Sequence, residues 1–191
     1  YWEQGNPTQY CGKDNLRFQS AMWQAMLMAA DLPNSHQIVI NGFITADGGI
    51  RMSKTLGNVV DPRDIATEFG IDALRLFLAK EISNFEDSPF ARERFIDAYN
   101  AHLANGLGNL TSRIMKMAVT NLEGPISTDE VSIPDEYVAF LDAYEISKAV
   151  QVIWYEISAL DLLIQETQPF KLVKIDPEKG KEIISELVTR L

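Results

Sequence analysis

The sequence predicts a mostly α-helical chain in which the end of a Rossmann-like parallel α/β domain runs into an α-helical bundle. Three observations carry this prediction. Residues 1–60 alternate strand-like apolar runs with a single amphipathic helix, the order of a parallel α/β unit. From Asp61 onward, apolar residues recur at gaps of three and four, the period of helices that bury one face. Hydrophobic residues make up 46% of the 191, enough for one large core or two smaller ones. The expected divisions are residues 1–60, 61–92 and 93–191.

Taken in order, "TQYC" (8–11) reads as a short strand. "DNLRFQSAMWQAMLMAADL" (14–32) reads as a helix with Asp14 at its N-cap and Pro33 ending it. "QIVING" (37–42) is a buried strand, and "FITADGGIRM" (43–52) a β-hairpin turning at Asp47-Gly48-Gly49. Asp61-Pro62 opens a helix with a cap followed by proline, and Gly70 separates it from the helix "IDALRLFLAKEI" (71–82). "SNFEDSPF" (83–90) is a polar loop. A long helix follows, with a stripe at Ile96, Tyr99, Leu103, Leu107, Leu110, Ile114 and Met117. "NLEGPISTDEVSIPDE" (121–136) is a linker. Ile146, Val150, Ile153, Ile157, Leu160 and Ile164 form a second stripe that runs on to Pro169, and Asp176-Pro177 opens a last helix.

Composition limits the function classes. A net charge of −10 lacks the basic field that non-specific nucleic-acid binding needs, so DNA is not an expected partner. It leaves room for a specific RNA contact through a local basic stripe. Cys11 is the single cysteine, so no internal disulfide forms, and no Cys/His spacing suggests a metal site. Both fit a reducing cytoplasm. No apolar run approaches the roughly 20 residues that span a bilayer, and no membrane partner is expected. The opening "YWEQGNPTQYCGKD" and the closing "KGKEIISELVTRL" both read as cuts through structured segments, so a piece of a longer protein is expected.

Two stretches carry chemistry. "GGIRMSKTLGN" (48–58) places Arg51, Met52, Ser53, Lys54 and Thr55 between glycines. Two cations and two hydroxyls on a mobile backbone suit an anionic ligand, with polyphosphate the obvious candidate. A solvated turn is the alternative. In "YCGKDNLRFQSAMW" (10–23), Gly12 would allow close approach of a ligand, and Asp14 offers a carboxylate to ribose hydroxyls. Asn15, Gln19 and Trp23 recur every four residues, a polar, polar, aromatic stripe able to line a small amino-acid pocket. On spacing alone, Asp14 as a cap and Trp23 as core is the better-supported reading.

"RMSKTLGNVVDP" after a strand and hairpin resembles the KMSKS signature of class I aminoacyl-tRNA synthetases. "GKDNLRFQSAMWQAMLMAADLP", "LGNLTSRIMKM" and "KAVQVIWYEISALDLLIQETQPFKLVK" resemble, in order and spacing, segments of the methionyl-tRNA synthetases. The resemblance implies a ligase that activates methionine with ATP, as its Mg2+ complex, and transfers it to tRNA(Met). It implies that Lys54, with Ser53 and Arg51, acts on the leaving pyrophosphate, and that Gly12, Asp14, Met52 and Lys54 bind ATP or adenylate. It further implies that Asn15, Gln19 and Trp23 line the methionine pocket, and that Asn109, Arg113 and Phe170 hold the anticodon. Residues 1–60 would then be the end of the catalytic domain, 61–92 a connecting segment, and 93–191 a truncated anticodon-binding domain.

The sequence departs from the family pattern in several places. Arg51 and Thr55 replace the first lysine and last serine of the signature, Gln19 stands where many members have histidine, and Phe170 where tryptophan is usual. The family's HIGH motif is absent: the two histidines, His36 and His102, lie in no such motif. The insertion that often carries zinc is also missing. The 191-residue chain alone is therefore expected to form no adenylate. A synthetase for another aliphatic amino acid, or a non-catalytic tRNA-binding module, are the alternatives.

Overall fold

The computed structural model describes residues 2–126 and 132–191; part of the expected linker, residues 127–131, lies outside them. The chain divides into two compact units, Tyr1–Arg92 with Tyr144–Ser147, and Glu93–Ala143 with Lys148–Leu191.

In the first unit, β1 (Thr8–Gly12) and β2 (Gln37–Asn41) pair in parallel, with Thr8 opposite Gln37 and Gly12 opposite Asn41. The register leaves the carboxyl ends of both strands together, where open α/β sheets place their ligands. The connecting segment departs from a single regular helix. A 3₁₀ turn (Lys13–Asn15) and a π segment (Phe18–Met22) precede α1 (Trp23–Ala29), and no side chain caps the start. Asp14 is therefore not an N-cap. Its carboxylate accepts instead from Asn15 Nδ2 at 3.3 Å and from Arg51 Nη2 at 3.4 Å.

The expected hairpin is reduced to one antiparallel bridge, Thr45 with Arg51, closed by the Ala46 amide donating to the Ile50 carbonyl at 2.7 Å. The strand β3 (Ile44–Thr45) pairs in parallel with β4 (Ser88–Pro89), inside the stretch expected to be polar loop. That stretch is ordered by its own polar atoms: the Ser83 amide donates to Ser88 Oγ, and the Glu86 amide to Ser83 Oγ. Asp61 caps α2 (Pro62–Phe69) by accepting from the Arg63 amide at 2.9 Å, and Gly70 leads into α3 (Ile71–Glu81). Ile65, Leu74, Phe77 and Phe90 are buried there, Phe77 meeting Phe90 edge-on at 5.4 Å. Each such side chain contributes about 1.5–3 kcal/mol on burial. Asp61→Ala, which removes a cap bond without touching this core, is expected to cost about 1 kcal/mol in chemical denaturation; an unmoved midpoint would refute the cap's contribution.

In the second unit, α4 (Arg92–Tyr99) passes into a π segment (Asn100–Gly108) and then α5 (Asn109–Asn121). Two glycines in "NAHLANGLG" favour the wider winding; a Cβ at Gly106 would sit 2.7 Å from the Ala101 carbonyl oxygen. The π segment shifts the helical phase, so the expected stripe is weaker on its N-terminal side: Ile96, Tyr99, Leu103 and Leu107 are half-buried, and Phe95 beside them is the fully buried residue. Beyond it Leu110 and Ile114 are buried as expected, with Ala118 following. Two short helices were not anticipated, α6 (Asp135–Asp142) and, after α7 (Ile146–Thr167), α8 (Pro169–Ile175). The side chain of Asp176 then caps α9 (Pro177–Arg190). Leu110, Ile114, Leu160, Ile164 and Leu187 form the core that joins α5, α7 and α9. On α7, Ala149 is buried and Ile153 is 39% exposed, which narrows the expected stripe.

Candidate functional sites

The signature loop leaves the bridge at Arg51 and returns through Gly57. Gly48, Gly49 and Gly57 all have positive φ, at 72°, 76° and 67°, so the glycines expected to free the loop are required by its backbone. Asn58 closes it: its Oδ1 accepts from the Ser53 amide at 2.8 Å, and its Nδ2 donates to the Arg51 carbonyl at 3.2 Å. Ser53 Oγ accepts from the Thr55 amide, and the Leu56 amide donates to the Ser53 carbonyl, so Ser53 shapes the turn. Met52 lines an apolar cavity of about 270 Å³ with Ile44, Val60, Pro62, Ile65 and Phe90, anchoring the loop's base. Lys54 is exposed and, among the described residues, its ammonium makes no ion pair or hydrogen bond.

Arg51 is engaged differently. Its guanidinium reaches Asp14 and lies 4.8 Å from the Phe43 ring centre, while Lys13 Nζ lies 4.9 Å from the same ring. Asp87 ties this arrangement to β4, accepting from Lys13 Nζ at 2.5 Å and from the Phe43 amide at 2.8 Å. The bond from Lys13, and then that from the Phe43 amide, hold the Asp87 carboxyl below its ordinary range. The Arg51 and Asp14 side chains are 69% and 45% exposed, and a pair so open contributes about 0–1 kcal/mol. It orients the loop rather than holding the fold.

Along the segment after β1, Asn15 is exposed and Gln19 half-buried, its carbonyl accepting from Gln24 Nε2 at 2.8 Å. Trp23 keeps 36% of its surface and meets Trp2 edge-on at 6.0 Å. The interruption at Phe18–Met22 lies between Asn15 and Trp23; π segments recur at functional sites.

The second unit holds a cavity of about 400 Å³ between the π segment with α5 and the facing stretch of α7, from Trp154 to Gln165. Asn109 and Arg113 both line it. Arg113 Nη1 donates to Asp161 Oδ1 at 2.7 Å, and Gln165 Nε2 donates to Asp161 Oδ2 at 2.6 Å. At the other end His102 meets Trp154 edge-on at 5.8 Å. Phe170 does not line this cavity; it lies on α8, 46% exposed, with Lys171 Nζ 5.8 Å from its ring centre.

Phe43, Asn58 and Asp87 were not singled out in the sequence, and neither were His102, Trp154, Asp161 and Gln165. A signal existed for the last group: Trp154, Ser158, Asp161 and Gln165 are spaced by four, three and four, a polar stripe beside the apolar one.

The architecture is the end of a Rossmann-like parallel α/β domain accompanied by a helical bundle. Residues 1–115 match the family model described as tRNA synthetases class I (M), more than half of the chain, and the chain belongs to that family. It is 35% identical over 183 residues to the methionine–tRNA ligase of Caldanaerobacter subterraneus subsp. tengcongensis and 40% identical over 183 to that of Clostridium perfringens. Each alignment covers 89% of this chain and 28% of the relative, so the chain spans a little over a quarter of those proteins. Among solved structures it is similar to Mycobacterium tuberculosis methionyl-tRNA synthetase in complex with methionyl-adenylate, with TM-score 0.81 and 28% identity. That superposition covers 99% of this chain and 40% of the other.

Proposed function

We propose that this chain supplies the signature loop and the RNA-binding bundle of an ATP-dependent methionine–tRNA ligase. In the first step a methionine carboxylate oxygen bonds to the α-phosphorus of ATP, and the bond to the bridging oxygen breaks to release pyrophosphate. In the second, a terminal ribose hydroxyl of tRNA(Met) attacks the adenylate carbonyl and AMP leaves. Neither step requires a protein nucleophile; positioning and charge stabilisation do the catalysis. Mg2+ enters as part of the ATP complex. The observation that carries the reading is Lys54: an exposed ammonium without a partner among the described residues, on a loop whose geometry is fixed by glycines and Asn58. A pre-formed but unsatisfied cation suits a polyanion whose charge develops during reaction. Arg51, already occupied by Asp14 and Phe43, positions the loop beside the carboxyl end of β1, where Gly12 and Asp14 would meet ribose.

The methionine pocket rests on Trp23, whose partly exposed side chain offers an apolar wall to a thioether. In a full-length ligase carrying this chain, Trp23→Ala is expected to raise the KM for methionine several-fold with kcat little changed, while Gln19→His is tolerated. An unaltered KM in Trp23→Ala would make the tryptophan ordinary packing against Trp2. The reading as a whole is tested by ATP–pyrophosphate exchange with methionine, leucine, isoleucine and valine. Exchange driven by any of the other three in preference to methionine would overturn it.

A further inference from the structure

Asp161 places a negative charge in the cavity lined by Asn109 and Arg113, two of the residues through which the proposed RNA-binding bundle would hold an RNA loop. The Arg113 and Asp161 side chains are 41% and 39% exposed, and an ion pair so open contributes about 0–1 kcal/mol. The helices it bridges, α5 and α7, are already joined by Leu110, Ile114, Leu160 and Ile164. Holding the fold is thus a weak account of the pair.

Its chemistry offers a better one. An ionised carboxylate only accepts, and a guanidinium only donates. Asp161 Oδ1 takes one bond from Arg113 and Oδ2 one from Gln165, which leaves each oxygen a further acceptor site, and Arg113, Asp161 and Gln165 all line the cavity. Arg113 spends one donor on Asp161 and keeps others. The cavity therefore presents an acceptor beside two or more donors. The pairing edge of cytosine is the complement: the N4 amine donates, and N3 and O2 accept. Uracil presents an acceptor, a donor and an acceptor, so its O4 would face the carboxylate where cytosine has its amine. A pocket of about 400 Å³ accommodates a pyrimidine.

We infer that Asp161 is a specificity-determining residue that accepts from the N4 amine of a loop cytosine and rejects uracil there, a role that rests on the RNA-loop reading above. Asp161 also orients Arg113 so that its remaining donors meet N3 and O2 of the same base.

The test uses the 191-residue chain and fluorescence anisotropy with RNA hairpins whose loops carry CAU, UAU, or CAU with 2-pyrimidinone replacing the cytosine, and a fourth hairpin with an unrelated loop as control. 2-Pyrimidinone lacks the exocyclic amine and keeps N3 and O2, so it removes one contact without altering the protein. Wild type is expected to prefer CAU over UAU, and over the 2-pyrimidinone loop, on the order of tenfold. In Asp161→Asn, whose amide can donate to a keto oxygen, both ratios should fall towards one; Asp161→Glu should retain them. A purely structural role would lower affinity for all three loops equally and leave the ratios intact, which overturns the inference. So would wild-type binding that is indifferent to loss of the amine. If wild type still prefers CAU to an unrelated loop in either case, the RNA-loop reading stands and only the role of Asp161 falls.

Discussion

Lys54→Ala, in a full-length ligase carrying this chain, is expected to slow methionine-dependent ATP–pyrophosphate exchange by about two to three orders of magnitude. Methionine affinity should be unchanged. The physical reason is the state of the side chain before ATP arrives. A cation already paired with a carboxylate would have to break that pair to help a phosphate; Lys54 has no such partner among the described residues. The loop's shape does not depend on the lysine side chain either. It comes from Asn58 bonding to Ser53 and Arg51, and from the positive φ of Gly57, so the alanine variant keeps the loop and loses only the charge. An interaction made chiefly as the leaving pyrophosphate gains charge lowers kcat and kcat/KM together. An exchange rate equal to wild type would remove Lys54 from the chemistry. A rise in KM for ATP with kcat intact would make it a simple ground-state contact.

The caps at Asp61 and Asp176 and the pairing of β1 with β2 carried through to the structure, whereas features set by other long-range contacts or by a change of helical winding did not. Each of the former follows from residues adjacent in sequence or from an apolar strand flanking a helix. Asp14 looked like a cap by the same local rule, yet its carboxylate meets Arg51, thirty-seven positions on. No local rule contains that contact. The pairing of β3 with β4 was hidden for the same reason: Ser88 and Pro89 lie far from Ile44 in sequence, in a stretch whose composition reads as loop. The two π segments broke the assumption of a single period. Extrapolating a 3.6-residue stripe through Asn100–Gly108 leaves Ile96 and Tyr99 only half-buried on its far side and misses Phe95, which is fully buried. In the candidate sites, the motif residues were legible because their chemistry is local. Asn58, Asp87 and Asp161, which hold those residues in place, became visible only once the chain was folded.

The bundle makes a separate prediction, about RNA. Arg113→Ala and Phe170→Ala should each weaken binding of an RNA hairpin with a CAU loop by about 1–3 kcal/mol. The two residues would act by different means. Arg113 and Asn109, four residues apart on α5, line a single cavity. Phe170 directly follows Pro169, which begins α8 after Gln168 adopts a left-handed conformation. That sharp entry turns the chain so that Pro169 is buried while the ring beside it stays 46% exposed. An exposed phenylalanine flanked by Lys171 offers a face for a base and a cation for the adjoining phosphate, without the N–H donor that tryptophan would add. With a net charge of −10, the chain has little long-range attraction for RNA, and affinity must come from such local contacts. Loss of either one should therefore be felt. Phe170→Trp is expected to bind at least as tightly as wild type, whereas Phe170→Leu, which keeps bulk but not the aromatic face, should behave like alanine. Anisotropy titrations with CAU and changed-loop hairpins decide it. Full affinity in Arg113→Ala and Phe170→Leu, or equal binding of both loops by wild type, would overturn the assignment of the RNA loop to these residues.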